Sequence, residues 1–473
     1  MKQLTYTLCA IVFALAPCSA RPASAATPSP SAKAAPDRPN IVYLISDDQS
    51  WTDYGFMGHP DIATPHLDRL AARSAVFPRG YVPTALCRPS LMTLATGLYA
   101  YQHKTSGNDP SPAAFPGIDK RELKNHPPYR ELRARLITHV DAHPTLPRLL
   151  AGAGYLSHQS GKWWEGSFER GGFTHGMTRG FPQPGGRHGD DGLKIGRDGM
   201  EPVFGFIDHA LAEEKPFLLF YAPFMPHTPH TPPTRLFEKY RKKVDSDYVA
   251  KYFAMCEWFD ETCGQLIDYI DDKGLTGNTL FVYLSDNGWI QRTDARNYAP
   301  RSKQSPYEGG VRQPMLLSWP GVIEPGTRND LVSSIDLLPT ALSAAGVAAP
   351  DGLPGLDLLP LVRDGVALGR DTIFGEGCAH DIADIENPEE SLLYRWCIEG
   401  KWKLLLTYDG VLNRYASSHP RSEKGPQLFD LGADPHEEEN LASANPKIVA
   451  RLAKKIENWY PLSERKTQLT PTP

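Results

Sequence analysis

Two buried-strand signatures, each ending in a pair of oxygen-bearing residues, constrain this chain more than any other feature. Asn40-Ile41-Val42-Tyr43-Leu44-Ile45 is an apolar run that leads into Ser46-Asp47-Asp48. A second run, 279–284, leads into Ser285-Asp286-Asn287-Gly288. Short continuous apolar runs of this kind read as parallel strands covered on both faces. The segments 217–221 and 315–318 read the same way, and helical patterns separate the runs at 64–74, 89–96, 145–153 and 248–272. Strands alternating with helices predict an α/β domain with a mostly parallel central sheet. At 473 residues the chain exceeds one compact core. Near residue 365 the pattern changes to short strands at 371–376, 394–399 and 402–408, then a helix at about 446–459. The expected division is a large domain over 39–365 and a smaller α+β domain with an antiparallel sheet over 366–473.

The N-terminus reads as a secretory leader. Lys2 gives a basic start, 8–16 is a short apolar stretch, and Ala23-Ser24-Ala25 suits cleavage. This makes 1–25 a signal peptide and 26–38 a Pro/Ala/Ser linker. The apolar stretch is far shorter than the ~20 residues that span a bilayer. The mature chain is therefore expected outside the cytoplasm, periplasmic or secreted, with no transmembrane segment. Leu15-Ala16-Pro17-Cys18 also resembles, less closely, a lipoprotein cleavage site. Lysine plus arginine number 50 against 55 acidic residues, a balance that argues against a nucleic-acid partner.

Export gives the cysteines meaning. Cys256 and Cys263 fall seven residues apart on one predicted helix, about 10 Å at ~1.5 Å per residue, beyond disulfide reach of about 7 Å. Cys378 with Cys397 is an open pairing. Cys87 is left over in an oxidising compartment.

The chemistry gathers around that cysteine. In open α/β sheets ligands bind beyond the carboxyl ends of the strands, where Asp47, Asp48, Asp286 and Asn287 stand. Either pair alone reads as ordinary turn residues; together they point to a shared hard cation such as Ca²⁺ or Mg²⁺. Cys87-Arg88-Pro89-Ser90 opens a helix that Gly97 ends. A helix start favours an anion, so Cys87 is either a packed cysteine or a group aligned against an anionic ester.

The segment Cys87 to Gly97 resembles the sulfatase motif Cys-x-Pro-Ser-Arg with its helix ending in Thr-Gly. Other motifs of that family follow in order: Pro39 to Val42 leading to Asp47-Asp48, Gly161-Lys162-Trp163, Pro226-His227-Thr228-Pro229, Ser285 to Gly288, and Lys303 before Tyr307-Glu308-Gly309-Gly310. The tail, from Leu428-Phe429-Asp430-Leu431 to Asn440-Leu441, is also similar. The resemblance covers nearly the whole mature chain and implies an alkaline-phosphatase-like fold. It implies that a maturation enzyme oxidises Cys87 to formylglycine, whose hydrate attacks a sulfate ester. Asp47, Asp48, Asp286 and Asn287 would hold Ca²⁺ with residue 87, Lys162 and Lys303 would bind sulfate, and His227 would protonate the departing alcohol.

Two family positions differ. Leu91 stands for the arginine that steadies the hydrated aldehyde, and Trp164 for a histidine that helps deprotonate it. Either Arg88, His66 or His103 supplies the missing cation or base, or maturation and turnover are lost; the first is favoured. The segments 105–142 and 171–199 are expected to shape the pocket for a sulfated carbohydrate. Arg88, His103, Asn108, Asp109, Trp164, His175, Asp190 and Asp191 are the substrate-contact candidates. A phosphodiesterase or phosphonate monoester hydrolase of the same superfamily, and a non-catalytic binder of sulfated glycans, are the alternatives.

Overall fold

The computed structural model describes residues 38–407 and 425–462. The leader, nearly all of the linker, Cys9 and Cys18 lie outside the described residues. Eight strands form the main sheet: β1 Asn40–Ser46, β2 Ala75–Phe77, β3 Leu156–Gly161, β4 His175–Gly176, β5 Phe217–Ala222, β6 Thr279–Ser285, β7 Met315–Ser318 and β8 Gly326–Thr327. Their order is β8-β2-β7-β6-β1-β5-β3-β4. Only β7 runs antiparallel to its neighbours, β2 and β6. The mostly parallel sheet expected from the alternating pattern is present.

Side chains alternate across this sheet with the period of two that a strand dictates. Ile41, Tyr43 and Ile45 of β1 enter one apolar cluster with Leu280, Val282 and Leu284 of β6. Val42 and Leu44 enter the opposite cluster with Phe281 and Tyr283. Both faces are thus sealed, so β1 and β6 read as unbroken apolar runs rather than alternating ones. The first cluster takes in the helix α1, Cys87–Thr96, through Leu91, Met92, Leu94 and Ala95. The second is covered by α2, Asp247–Asp272, through Met255, Phe259, Cys263, Leu266 and Ile267.

Strand β3, Leu-Ser-His-Gln-Ser-Gly, carries no apolar run, yet all but its first residue are buried. Its place between β5 and β4 comes from tertiary pairing.

A separate antiparallel sheet follows, with β9 Thr372–Cys378, β10 Leu392–Glu399, β11 Trp402–Thr407 and β12 Gln427–Asp430 in sequence order. Helix α3, Pro446–Trp459, packs Val449, Leu452 and Ile456 against it. Cys397 lies opposite Phe374, whereas Cys378 lies opposite Leu392, five residues away along β10. At ~3.3 Å per residue that separation exceeds disulfide reach, so the pairing left open from the sequence does not form. Cys256 and Cys263 are free, as their helical spacing required. Among the described residues no helix is long and apolar enough to cross a membrane.

Candidate active site

The site lies where β1, β3, β5 and β6 end. Ser46 of β1 is in register with Ser285 of β6, so the residues that follow, Asp47-Asp48 and Asp286-Asn287, stand side by side. Asp48 turns the chain at φ 69°, a left-handed conformation that a non-glycine residue adopts rarely and at a cost of order 1–3 kcal/mol. Its backbone N–H donates to Asp286 Oδ1 at 3.1 Å and the next N–H, of Gln49, donates to the Asn287 carbonyl. These bonds hold the turn against its strain.

Gly161 ends β3 at φ 85°, and a Cβ there would lie 1.8 Å from the Ala222 carbonyl oxygen. Only glycine fits, and the approach brings Lys162 to the strand end, where its N–H donates to Ala222. Lys162 Nζ then reaches Asp47 Oδ1 at 2.8 Å. Lys303 Nζ donates to both oxygens of Asp48, at 2.5 and 2.7 Å, and lies 3.2 Å from Cys87 Sγ. Cys87 Sγ is 3.8 Å from Asp47 Oδ1 and 3.9 Å from Asp48 Oδ1. His227 places Nε2 3.3 Å from Asp48 Oδ2, while Nδ1 meets the Thr228 carbonyl oxygen at 2.5 Å. The catalytic and metal residues expected from the sequence therefore converge on one spot.

Electrostatics there are dominated by burial. Burial holds Asp47 well above the usual carboxylate range, opposed chiefly by Lys162, and burial likewise raises Asp286. Burial works against the charge on Lys162 and Lys303, but Asp47 and Asp48 respectively, with Cys87, hold both ammonium groups above the lysine range. Burial pushes the Cys87 thiol far up against the pull of both lysines. The thiolate is thus suppressed, although it is the nucleophilic form of cysteine.

Three buried oxygens have no hydrogen-bond partner among the described residues: Asp47 Oδ2, Asp286 Oδ2 and Asn287 Oδ1. Partnerless buried oxygens are rare in folded proteins, and two carboxylate oxygens and one amide oxygen on the paired strand ends, beside Asp48, form a hard-donor set suited to Ca²⁺ or Mg²⁺. Ligand atoms of Asp47, Asp48, Cys87 and His227 all lie within 4.8 Å of one another. The residues present fit a divalent cation.

A pocket of about 230 Å³ opens over Cys87, Lys162, His227 and Lys303. Asn108 and Trp164, two of the substrate-contact candidates, line it. Asp109 does not, but it grips Arg187, which does. The other candidates are placed elsewhere. Arg88 is buried beneath the pocket in a two-pronged ion pair with Glu165, at 2.7 and 2.6 Å. His103 is buried in the core against Thr93. His175 packs on Phe206 and His209 at the sheet edge. Asp190 accepts the N–H groups of Arg179, Gly180 and Asp191 to close a turn, and Asp191 forms exposed ion pairs with Lys194 and Arg179. These corrections share one cause: polar residue type reveals nothing about which wall of a loop faces the pocket.

Of the residues considered as stand-ins for the missing arginine and histidine, none lines the pocket. Arg88 is committed to Glu165, His103 is in the core, and His66 packs against Gly264 of α2. Leu91 and Trp164 instead belong to a single apolar cluster. Sequence reasoning missed Arg187, His188, Trp289, Gln304 and His380, which also line the pocket. Arg187 and His188 fall inside the glycine-rich segment 171–199, a usable signal; His380 comes from the bend that follows β9, where no local signal exists.

The sequence profile of the sulfatase family matches residues 39–347. Arylsulfatase A of Homo sapiens is 28% identical, with 88% of this chain and 86% of that protein covered. N-acetylgalactosamine-6-sulfatase of Sus scrofa is 28% identical over 89% of this chain and 85% of its own. A solved structure from a Bacteroides thetaiotaomicron locus for glycosaminoglycan metabolism superposes with a TM-score of 0.69 at 21% identity, over 90% of this chain and 99% of that one. With its strand-end carboxylates, paired lysines and Cys87 helix in one pocket, the chain belongs to the sulfatase family.

Proposed function

We propose that the protein removes sulfate from a sulfated carbohydrate outside the cytoplasm, through a formylglycine made from Cys87 by a maturation enzyme and one bound Ca²⁺, with Mg²⁺ the alternative ion. The observation that carries this reading is that Cys87 lies beside Asp47, Asp48 and Lys303, with Lys162 held on Asp47, at strand ends that also carry three partnerless oxygens. The carbohydrate assignment rests on relatives such as N-acetylgalactosamine-6-sulfatase and on a pocket walled by Trp164 and Trp289, since aromatic faces suit sugar rings.

Asp47, Asp48, Asp286 and Asn287 would hold the cation, which when bound supplies positive charge to sulfate oxygens. A hydrated aldehyde at position 87 would supply the hydroxyl that attacks sulfur as the sulfur–oxygen bond to the alcohol breaks. Lys162 and Lys303 orient the sulfate and stabilise the charge that its oxygens gain in the transition state. The Thr228 carbonyl accepts from Nδ1 of His227, so the ring acts as an acid only as the imidazolium, with its second proton on Nε2 facing Asp48; burial favours the neutral ring and so makes that proton readily given up. Nε2 delivers it to the departing alcohol oxygen. Arg88 and Glu165 neutralise each other under the helix start and fix Cys87 in place.

Mass spectrometry of the peptide carrying residue 87, from a host with the maturation enzyme, tests the reading together with sulfate release from aryl and saccharide sulfates. An unmodified thiol with no sulfate released sinks it. Saccharide binding without turnover selects the non-catalytic binder, and faster turnover of aryl phosphate diesters than of sulfates selects the phosphonate monoester hydrolase class.

A further inference from the structure

We propose that Arg187 is a specificity-determining residue that reads a second anionic group, a carboxylate or a further sulfate, on the substrate. The inference rests on the reading of the pocket as a sulfate-ester site and names the substrate class within it. Lys303 Nζ lies 3.2 Å from Cys87 Sγ and Lys162 Nζ reaches Asp47 beside it at 2.8 Å, and these two lysines are assigned to the scissile sulfate. Arg187 is a further cation in the same pocket, contributed by a different segment and flanked by Trp164 and Asn108.

Its position is built. Arg187 Nε donates to Asp109 Oδ2 at 3.0 Å and Nη2 also donates to Oδ2. Asp109 is held in turn by Arg133 Nη2 at 2.6 Å from Oδ1. Burial favours the neutral form of Asp109, but Arg187 and Arg133 overcome it and hold the carboxyl below its usual range. The guanidinium carbon of Arg187 stands 4.6 Å from the centre of the Trp164 ring. One carboxylate therefore serves two guanidinium groups, and the nearby Asp381 is engaged by His380 at 2.6 Å. Nη1 of Arg187 makes no protein hydrogen bond among the described residues, and the side chain stays 35% exposed. A planar, stacked, pre-ordered guanidinium with free donors is the group that recognises carboxylate or sulfate oxygens at little entropic loss. The Trp164 that displaced a polar family residue is the platform that positions it.

The test uses three matched saccharides: a neutral monosulfated sugar, the same sugar linked to a uronate, and its disulfated form. Wild-type kcat/KM is expected to favour one anionic partner over the neutral one by about ten- to a hundredfold, the range of one charge-assisted hydrogen bond, and the arm that wins distinguishes carboxylate from sulfate. Arg187→Met is expected to collapse that ratio chiefly through KM, and Arg187→Lys to retain part of it. The same ratio in Kd, measured calorimetrically on protein carrying Cys87 as the thiol, needs no turnover. Equal preference for neutral and anionic saccharides in the wild type overturns the proposal. So does an Arg187→Met variant that weakens all three alike, which assigns the residue to the scissile sulfate or to the loop. A charge preference in Kd, with no turnover by protein already converted to formylglycine at residue 87, supports the subsite and overturns the sulfatase reading.

Discussion

Removing Glu165 should unlatch the floor of the active site. Arg88 Nε and Nη2 rest on the two Glu165 oxygens at 2.7 and 2.6 Å, and the side chains are 1% and 2% exposed. In a Glu165→Ala variant the guanidinium keeps only the Asn108 carbonyl, at 3.1 Å. Stranding one partner of a buried pair costs about 3–5 kcal/mol, whereas replacing both by apolar groups of similar size is close to neutral. With unfolding entropy of about 2 cal/mol/K per residue over roughly 400 ordered residues, one degree corresponds to about 0.8 kcal/mol. The expected Tm drop is therefore about 4–6 °C in scanning fluorimetry. The double variant Arg88→Met with Glu165→Leu should return to within about 2 °C of wild type on the same scale. A single variant that melts with the wild type, or a double variant no better than the single, refutes the argument. Because Arg88 is consumed by Glu165, the double variant also asks whether Arg88 has any direct part in the chemistry. Sulfate release that survives in the double variant assigns Arg88 to positioning alone.

Other outcomes follow from the same geometry. Added Ca²⁺ should raise Tm, by an amount equivalent to about 2.7 kcal/mol at a hundred times Kd, and Asp286→Ala should abolish the shift; a shift that persists in the variant places the ion elsewhere. Lys162→Ala and Lys303→Ala should each lower kcat by roughly 10²–10³-fold through lost charge stabilisation, measured by sulfate release under saturating substrate. Glu376 is pushed up to about 8 by burial, against the N–H groups of Tyr101 and Ala100, and its Oε2 has no hydrogen-bond partner among the described residues. The folded state then holds a proton that the unfolded state releases near 4.5, so this group makes stability fall as pH rises from about 4.5 to 8. Glu376→Gln should flatten that decline in a series of melts from pH 5 to 8, and an unchanged slope refutes the assignment.

Much of the site was legible in the sequence because it is local to strand and helix ends. Asp47-Asp48 and Asp286-Asn287 each follow an apolar run, and a parallel sheet sends such ends to one edge. Cys87 opens a helix whose Pro89 and Gly97 mark its two ends. The C-terminal strands were likewise marked as short apolar runs at 394–399 and 402–408 after the pattern changes near residue 365. What the sequence could not determine depends on contacts between segments far apart in the chain. Strand β3 has no apolar signature and owes its place to β5 and β4. The polar segment 171–199 presents Arg187 to the pocket but turns Asp191 to solvent, and the choice is made by Asp109 drawing Arg187 inward. Arg88 looked available as a cation until folding brought Glu165 against it, 77 residues along the chain. The sequence by itself thus determined which strand-end and helix-end residues meet at Cys87, because strand-end and helix-end chemistry is local. The tertiary structure alone decided the pocket wall, because charge pairing across loops is not.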